Sequence, residues 1–136
     1  MNMQELLASY PHHGSVKWIG IRPGFREAVQ ELEAAEITAT QGLEGDHYHG
    51  RSKKRQVTLL QWEHLPAIAG LMQTDRIDPS LLRRNLVVAG INVQSLMYSR
   101  FRIGEVILEG TGPCHPCSRM EENLGPGGYQ AMRGHG

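Results

Sequence analysis

The chain is organised around residues 111–122, which read Thr111-Gly112-Pro113-Cys114-His115-Pro116-Cys117-Ser118-Arg119-Met120-Glu121-Glu122. This stretch holds both cysteines of the 136-residue protein, separated by two residues. Ser118 and Glu121 have the S-x-x-E form of a helix capping box, so we expect a helix to begin just after Cys117. The partial positive charge of a helix N-terminus favours a thiolate. Cys117 is therefore the leading candidate for a reactive or metal-binding residue.

The composition of the chain is that of an ordinary globular domain. Its 14 basic and 14 acidic residues balance to a formal net charge of zero, which provides no global electrostatic basis for nucleic-acid or membrane binding. No apolar run approaches the length of a membrane span, and residues 1–10 lack the features of a secretory signal. Two cysteines do not make a disulfide framework, so we expect a cytoplasmic protein with reduced thiols.

Turn-forming residues and short apolar runs dominate the rest of the chain. Its 16 glycines and 7 prolines favour a sheet-rich or barrel-like body over a helical bundle. We predict strands over residues 15–21, 56–60, 86–89, 101–103 and 104–109. Short helices are predicted over 62–71 with Trp62 facing inward, from the Asp78-Pro79 pair, over 120–124 and over 129–133. Residues 1–14 are expected to be a flexible lead-in with a short helix near 3–9.

Residues 25–40 have two interpretations. Strong helix formers fill 27–36, with Ala28, Leu32 and Ala35 at helical spacing, and strand-forming residues follow at 37–40. A helix followed by a strand is the interpretation by propensity. Because propensity is a weak prior, two strands remain the alternative.

Residues 41–55 form a polar, glycine-rich loop that runs into a basic segment. His47 and His49 could meet a metal ion, but a turn held by Asp46 is favoured because metal sites usually need three or four converging ligands. The basic segment is either a solvated face or a site for an anion such as phosphate, and it comprises Arg51, Lys53, Lys54 and Arg55. Aromatic residues make up 6% of the chain and do not interleave with this run, so we expect no nucleic-acid partner.

Several short motifs follow one another in an order that resembles a known family. They are Gly42-Leu43-Glu44-Gly45-Asp46, Gln56-Val57-Thr58-Leu59-Leu60, Arg84-Asn85-Leu86, Phe101-Arg102-Ile103-Gly104 and Pro116-Cys117. Together they resemble the MOSC domain, a module shared with the C-terminal part of molybdenum cofactor sulfurases. The resemblance extends from about Val16 to Gly134. Each motif is short, and the order and spacing of the set carry the match.

The resemblance implies a fold and a site. The expected fold is a mostly β, α+β, barrel-like single domain over residues 1–136, with a few short peripheral helices. Because family members often continue past the equivalent of residues 134–136 into another strand, we expect the C-terminal end to be truncated. The site lies around Cys117, with Gly45, Asp46, Arg84 and Asn85 near a pocket for the molybdenum–pterin cofactor. The resemblance also implies a role in handling sulfur, including sulfuration of the cofactor, or in handling the molybdenum–pterin cofactor itself. Some related proteins with this domain bind the cofactor through the cysteine and reduce N-hydroxylated compounds. We expect no fused pyridoxal-phosphate desulfurase or electron-transfer module, so a separate cysteine desulfurase or electron-transfer protein is the expected partner.

Four chemical hypotheses follow for the cysteine pair. In the first, Cys117 binds molybdenum, and phosphate donors come from the glycine-rich loop with its His47 and from the cations Lys53, Lys54, Arg55 and Arg84. In the second, Cys117 carries a persulfide that Cys114 resolves. In the third, Cys114 and Cys117 form a redox-active dithiol. Dithiol motifs of this type are expected near a βαβ unit and early in the fold, whereas this pair lies near the C-terminal end of the sequence. In all three hypotheses the expected binding partner is the cofactor or a small-molecule substrate.

The fourth hypothesis is a non-catalytic zinc site. It would combine Cys114 and Cys117 with two of His47, His49, His115 and His135, although a single C-x-x-C is a weak zinc signal. His115 could also act as an acid–base group or a hydrogen-bond donor to a thiolate, or point to solvent. Two buried and inert cysteines are the remaining alternative, since cysteine is often buried.

Overall fold

The computed structural model describes residues 1–24, 27–46 and 56–136, which form short strands and short helices. The strands are β1 (Ser15–Ile21), β2 (Gln30–Leu32), β3 (Ile37–Thr38), β4 (Gly42–Leu43), β5 (Leu59–Gln61), β6 (Leu86–Ala89), β7 (Arg100–Ile103) and β8 (Val106–Glu109). The α-helices are α1 (Met3–Leu7), α2 (His64–Met72), α3 (Arg119–Leu124) and α4 (Gly128–Met132), and 3-10 helices span Pro79–Leu82 and Val93–Leu96. The predicted α+β class with short helices is confirmed.

The main sheet has four strands in the order β2-β1-β6-β5. β1 pairs antiparallel with β2 and β6, whereas β5 runs parallel to β6. A parallel pair needs a long crossover, which α2 and the 3-10 helix Pro79–Leu82 provide. β3 with β4 and β7 with β8 form two further antiparallel pairs, and the described strands do not close into a barrel. All four residues of β6 are buried, as expected for a continuous apolar run at the centre of a sheet.

The hydrophobic core lies between the main sheet and the helices. α2 contributes Leu65 and Ile68, while α3 and α4 contribute Met120 and Met132, both fully buried. The sheet and its connections contribute Trp18, Leu60, Ile77, Leu82 and Val87 to the same core. Residues 111–117, which contain both cysteines and are called the cysteine segment below, end three residues before Met120. The cysteine segment is therefore anchored to the core at its C-terminal end.

The predicted helix over 27–36 is wrong, and the alternative of two strands is correct. Residues 30–32 form β2, in which Leu32 lies opposite Ile19 of β1. A helix here would have to bury Ala28 and Ala35 together with Leu32, but both alanines are exposed. Backbone pairing with the edge of β1 outweighs local helix propensity, which amounts to only tenths of a kcal/mol per residue (about 0–0.7).

Other predicted elements agree with the structure except at their ends. β1 and β6 have the predicted bounds, and Asp78 caps the 3-10 helix by accepting a hydrogen bond from the Ser80 N–H at 3.0 Å. β5 begins three residues later than predicted, at Leu59. Trp62 is 40% exposed and precedes α2, so its predicted inward position is wrong. Because α2 begins at His64, the buried face of this helix consists of Leu65, Ile68 and Ala69.

The helices are too short to cross a bilayer. Within residues 1–24, 27–46 and 56–136 the longest, α2, has nine residues, and none combines the length and apolarity of a membrane-spanning helix.

Candidate functional site

The cysteine segment leads from β8 to α3 as irregular backbone over residues 111–117. Both thiols are free, with Cys114 half-buried and Cys117 exposed. α3 begins at Arg119, so Cys117 lies just outside a helix N-terminus, as predicted. The Cys117 carbonyl accepts a hydrogen bond from the Met120 N–H at 3.0 Å. The backbone of Cys117 is thereby tied to a core residue while its side chain faces solvent, and the alternative of two buried, inert cysteines is wrong.

The predicted capping box at Ser118 and Glu121 is wrong. Ser118 has helical backbone angles (φ −57°, ψ −20°), and its side chain makes no capping hydrogen bond. An N-cap hydroxyl normally reaches the next turn from an extended backbone, which Ser118 does not adopt. Glu121 instead accepts hydrogen bonds from the backbone N–H groups of Gly127 at 2.9 Å and Tyr129 at 3.1 Å. Glu121 therefore caps the start of α4 and holds α3 and α4 together.

Glu121 is expected to stabilise the fold in a pH-dependent way. The N–H groups of Gly127 and Tyr129 lower the pKa of Glu121 below its ordinary value of 4.5. A lowered folded-state pKa gives stability that is present above 4.5 and is lost as the pH falls through the folded-state value. Glu121→Ala should therefore lower the urea midpoint at neutral pH, and the difference from wild type should vanish in acid.

Glu122→Ala is the matched control for this experiment. Glu122 is on the same helix, and its side chain makes an exposed ion pair with Arg119 at 3.2 Å. Its replacement should change the midpoint less than that of Glu121. A Glu121→Ala effect that stays constant from neutral pH into acid would contradict the capping role.

Arg84 connects the cysteine segment to the main sheet. It lies two residues before the start of β6 and is only 6% exposed. Its Nη1 donates to the Leu82 carbonyl at 3.1 Å, and its Nη2 donates to the Cys114 carbonyl at 3.0 Å. Nε is buried and has no hydrogen-bond partner, and no carboxylate in the described part of the chain pairs with the guanidinium. The structure thus holds a buried positive charge, without a counter-ion from these residues, beside the cysteine segment.

Asn85 is committed to the backbone of two neighbouring segments. Its Oδ1 accepts from the Thr58 N–H at 3.1 Å and from the Thr58 hydroxyl at 3.3 Å. Its Nδ2 donates to the Gly20 carbonyl at 3.1 Å. These bonds join β1, the start of β5 and the start of β6. The sequence had no signal for them, because the partners lie 27 and 65 residues away.

Asp46 is also engaged with the main chain. It follows β4 and Gly45, is 4% exposed, and accepts a hydrogen bond from the Arg22 N–H at 2.8 Å through Oδ1. Gly45 has a φ of 86°, a left-handed conformation that favours glycine at this turn. The Gly45-Asp46 pair therefore fixes the end of β1 against the turn after β4.

The remaining predicted site residues that the structure describes do not form a metal-binding cluster. His115 is exposed. Within the part of the chain that the structure describes, no three His, Cys, Asp or Glu side chains approach closely enough to hold a metal ion, so His115 and His135 do not complete a zinc site with the cysteines. The other candidates lie outside the described residues, namely His47, His49, Arg51, Lys53, Lys54 and Arg55.

The sequence model of the MOSC domain matches residues 12–135. The chain belongs to the MOSC domain family.

A solved structure independently supports the fold of this MOSC protein. The crystal structure of the YuaD protein from Bacillus subtilis matches it with a TM-score of 0.71 at 18% sequence identity, covering 90% of this chain and 85% of that one. At this identity the likeness extends to the fold alone. Among curated proteins, none matches this sequence at a significant level.

MOSC domains are associated with molybdenum cofactor-related proteins, and two features of this chain fit such a cofactor. Cys117 offers an exposed thiol, and soft thiolate ligands suit redox-active transition metals. Arg84 offers a buried guanidinium with a free Nε, which is suited to an anionic group such as a phosphate. The donor set is therefore compatible with the cofactor's metal and with its negative charge.

Proposed function

We propose that this MOSC protein binds the molybdenum–pterin cofactor through the Cys117 thiolate, with Arg84 as the buried cation that balances the cofactor's negative charge. The observation that supports this most directly is the Arg84 guanidinium, 6% exposed and with an unpartnered Nε. When bound, the cofactor would supply a redox-active metal, and reduction of N-hydroxylated compounds is the activity that we assign to it. Cys117 would hold the metal, while Arg84 would keep the Cys114 carbonyl in place.

The desolvation of Arg84 gives the physical reason for an anionic ligand. Taking an unpaired charge out of water has an effective free-energy penalty of several kcal/mol. Two carbonyl acceptors, from Leu82 and Cys114, compensate only part of this penalty. A phosphate or other anion at Nε would supply the missing partner. His47, Lys53, Lys54 and Arg55 are further proposed phosphate donors, together with the backbone at Gly45, whereas Asp46 and Asn85 shape the site through the backbone.

Analysis of the purified protein tests the proposal. The chain should be produced in cells replete with molybdenum, after which molybdenum is measured by elemental analysis and pterin by fluorescence after oxidation. We expect both in equal molar amounts with the protein. If the protein carries neither molybdenum nor pterin, while a known molybdenum protein from the same cells carries both, cofactor binding is excluded.

Arg84→Met is expected to lower cofactor retention strongly while changing the free energy of unfolding only slightly. Methionine fills a similar volume and removes the buried charge, which offsets the loss of hydrogen bonds to Leu82 and Cys114, so the free energy of unfolding should change by no more than about 1 kcal/mol. Cofactor retention should fall by about 30-fold or more, because loss of a buried charge partner typically costs 2 kcal/mol or more. Arg133→Met, at an exposed arginine on the same protein, is the control and should leave both quantities unchanged. Normal cofactor content in Arg84→Met would contradict the role of the buried cation.

Sulfur transfer through Cys117 is the second candidate function, favoured by the exposure of Cys117 beside a half-buried Cys114. The Cys117 thiolate would attack the outer sulfur of a desulfurase persulfide, the donor's S–S bond would break, and the donor would leave as a thiolate. The product is a Cys117 persulfide that Cys114 could resolve. A reducing, cytoplasmic setting, which we also propose, keeps both thiols available.

Mass spectrometry after incubation with a cysteine desulfurase and cysteine tests sulfur transfer. We expect a single added sulfur on the peptide that contains Cys117. If that peptide stays unmodified while the desulfurase itself carries a persulfide, Cys117 is not a sulfur acceptor. An insulin-reduction assay distinguishes the dithiol alternative, which requires both Cys114 and Cys117.

A further inference from the structure

Two histidines that are distant in sequence are held edge to face at the end of the core. His64 is the first residue of α2, and His135 follows α4. Their ring centres lie 5.5 Å apart with the ring planes at 87°. Both side chains are half-buried. Because 71 residues separate them, tertiary packing and not local spacing creates this pair.

Both rings use Nδ1 to bind the backbone. His64 Nδ1 lies 3.0 Å from the His135 carbonyl oxygen, and His135 Nδ1 lies 3.1 Å from the Ala131 carbonyl oxygen. A carbonyl oxygen only accepts hydrogen bonds, so each Nδ1 carries the proton and donates it. In the neutral rings Nε2 then carries a lone pair. Neither Nε2 has a hydrogen-bond partner among residues 1–24, 27–46 and 56–136.

This arrangement is the one in which proteins prepare imidazole for a metal ion. A metal-binding histidine usually donates its other ring N–H to a carbonyl or carboxylate, which fixes the tautomer and the ring orientation. With nitrogen–metal distances of about 2.0–2.1 Å, two imidazoles on one tetrahedral ion have ring centres roughly 5 Å apart. The observed separation of 5.5 Å is close to that value.

We propose that His64 and His135 form a bis-imidazole site for a divalent transition-metal ion, of the class of Ni²⁺, Cu²⁺ or Zn²⁺, for which imidazole is a preferred ligand. Water completes the coordination. Glu63 does not join the pair, because its two carboxylate oxygens accept hydrogen bonds from Gln61 and from the Gly90 N–H. The site is independent of Cys117 and of the function proposed for it.

The bound ion would cross-link the start of α2 to the segment after α4. It would therefore stabilise the folded state by an amount that grows with the logarithm of its concentration once that concentration exceeds the dissociation constant. Two protein ligands make a weaker site than the three or four of catalytic and structural zinc centres. The expected behaviour is reversible binding of one ion per chain, accompanied by a rise in the unfolding midpoint.

Calorimetric titration of the full chain with Ni²⁺ alone tests this proposal. His64→Asn and His135→Asn each remove Nε2, while the asparagine amide keeps an N–H donor near the position of Nδ1. We expect one Ni²⁺ per wild-type chain and an affinity lower by about tenfold or more, equivalent to 1.4 kcal/mol, in each variant. His13→Asn is the matched control, since His13 is exposed and its neighbour His12 uses Nδ1 to bind the His13 carbonyl at 3.0 Å.

Three results would overturn the proposal. One is Ni²⁺ binding that is unchanged in both asparagine variants. The second is binding that is lost in a Cys114→Ser, Cys117→Ser double variant, because the thiols would then be the ligands. The third result comes from wild-type protein and does not depend on the variants folding. Paramagnetic Ni²⁺ should selectively broaden the NMR signals of residues 64 and 135. An absence of broadening at these residues excludes the site.

Discussion

Cys117→Ser is expected to abolish retention of the molybdenum–pterin cofactor. A serine hydroxyl is a hard ligand that stays protonated at neutral pH, so it cannot replace a soft thiolate at the metal. The side chain at residue 117 is exposed, and its backbone is held through the Met120 N–H, which serine leaves in place. The fold should therefore be unchanged, with an unfolding midpoint equal to that of cofactor-free wild-type protein. Elemental analysis and pterin fluorescence of the purified variant measure the loss.

Cys114→Ser is the matched control for this change. Cys114 contributes its carbonyl to the Arg84 Nη2 hydrogen bond, and a serine backbone provides the same acceptor. This variant should retain most of its cofactor. Equal losses in the two variants would contradict the assignment of Cys117 as the metal ligand and favour the functions that need both thiols.

Asn85→Ala is expected to lower the free energy of unfolding by about 3 kcal/mol, because each buried polar group left unpaired costs roughly 1–3 kcal/mol. The change removes the acceptor for Thr58 and the donor to the Gly20 carbonyl at a position that is only 7% exposed. Alanine also leaves a small cavity where β1, β5 and β6 meet. Urea denaturation followed by circular dichroism measures the effect.

Asn123→Ala is the matched control for Asn85. Asn123 is on the surface and donates one hydrogen bond, from Nδ2 to the Leu81 carbonyl at 2.8 Å. Since water can replace that bond, we expect a loss below about 1 kcal/mol. Equal losses at the two positions would mean that the Asn85 network is not a main support of the sheet.

Arg84 and Asn85 are neighbours in sequence with different tasks. Both were predicted to bind the cofactor, because the family motif contains both. Asn85 has its amide satisfied by backbone groups, whereas Arg84 retains a buried Nε without a partner. The rigid bonds of Asn85 fix the start of β6, and Arg84 is thereby held in position beside the cysteine segment. The Asn85 amide is therefore engaged within the fold, whereas Arg84 is the residue to which we assign the cofactor's negative charge in our proposal.

Elements whose signals are local were predicted well. β6 is a continuous apolar run, β1 is bounded by Gly14 and Pro23, and the 3-10 helix Pro79–Leu82 begins at an Asp-Pro pair. In each case the residues that decide the structure lie within the element or next to it. The predicted helix over 27–36 failed for the opposite reason, because pairing with β1 decided its conformation.

The sequence by itself determined the family and the α+β class, since ordered motifs and local propensities carry that information. It also placed Cys117 at the start of a short helix, although the capping box behind that prediction does not form. Only the tertiary structure decided which side chains meet. It placed Arg84 beside the Cys114 carbonyl, turned Glu121 from a cap of α3 into a cap of α4, and joined His64 to His135. The physical reason is that contacts between distant residues depend on how the sheet and helices pack. A composition or spacing pattern records only what lies nearby along the chain.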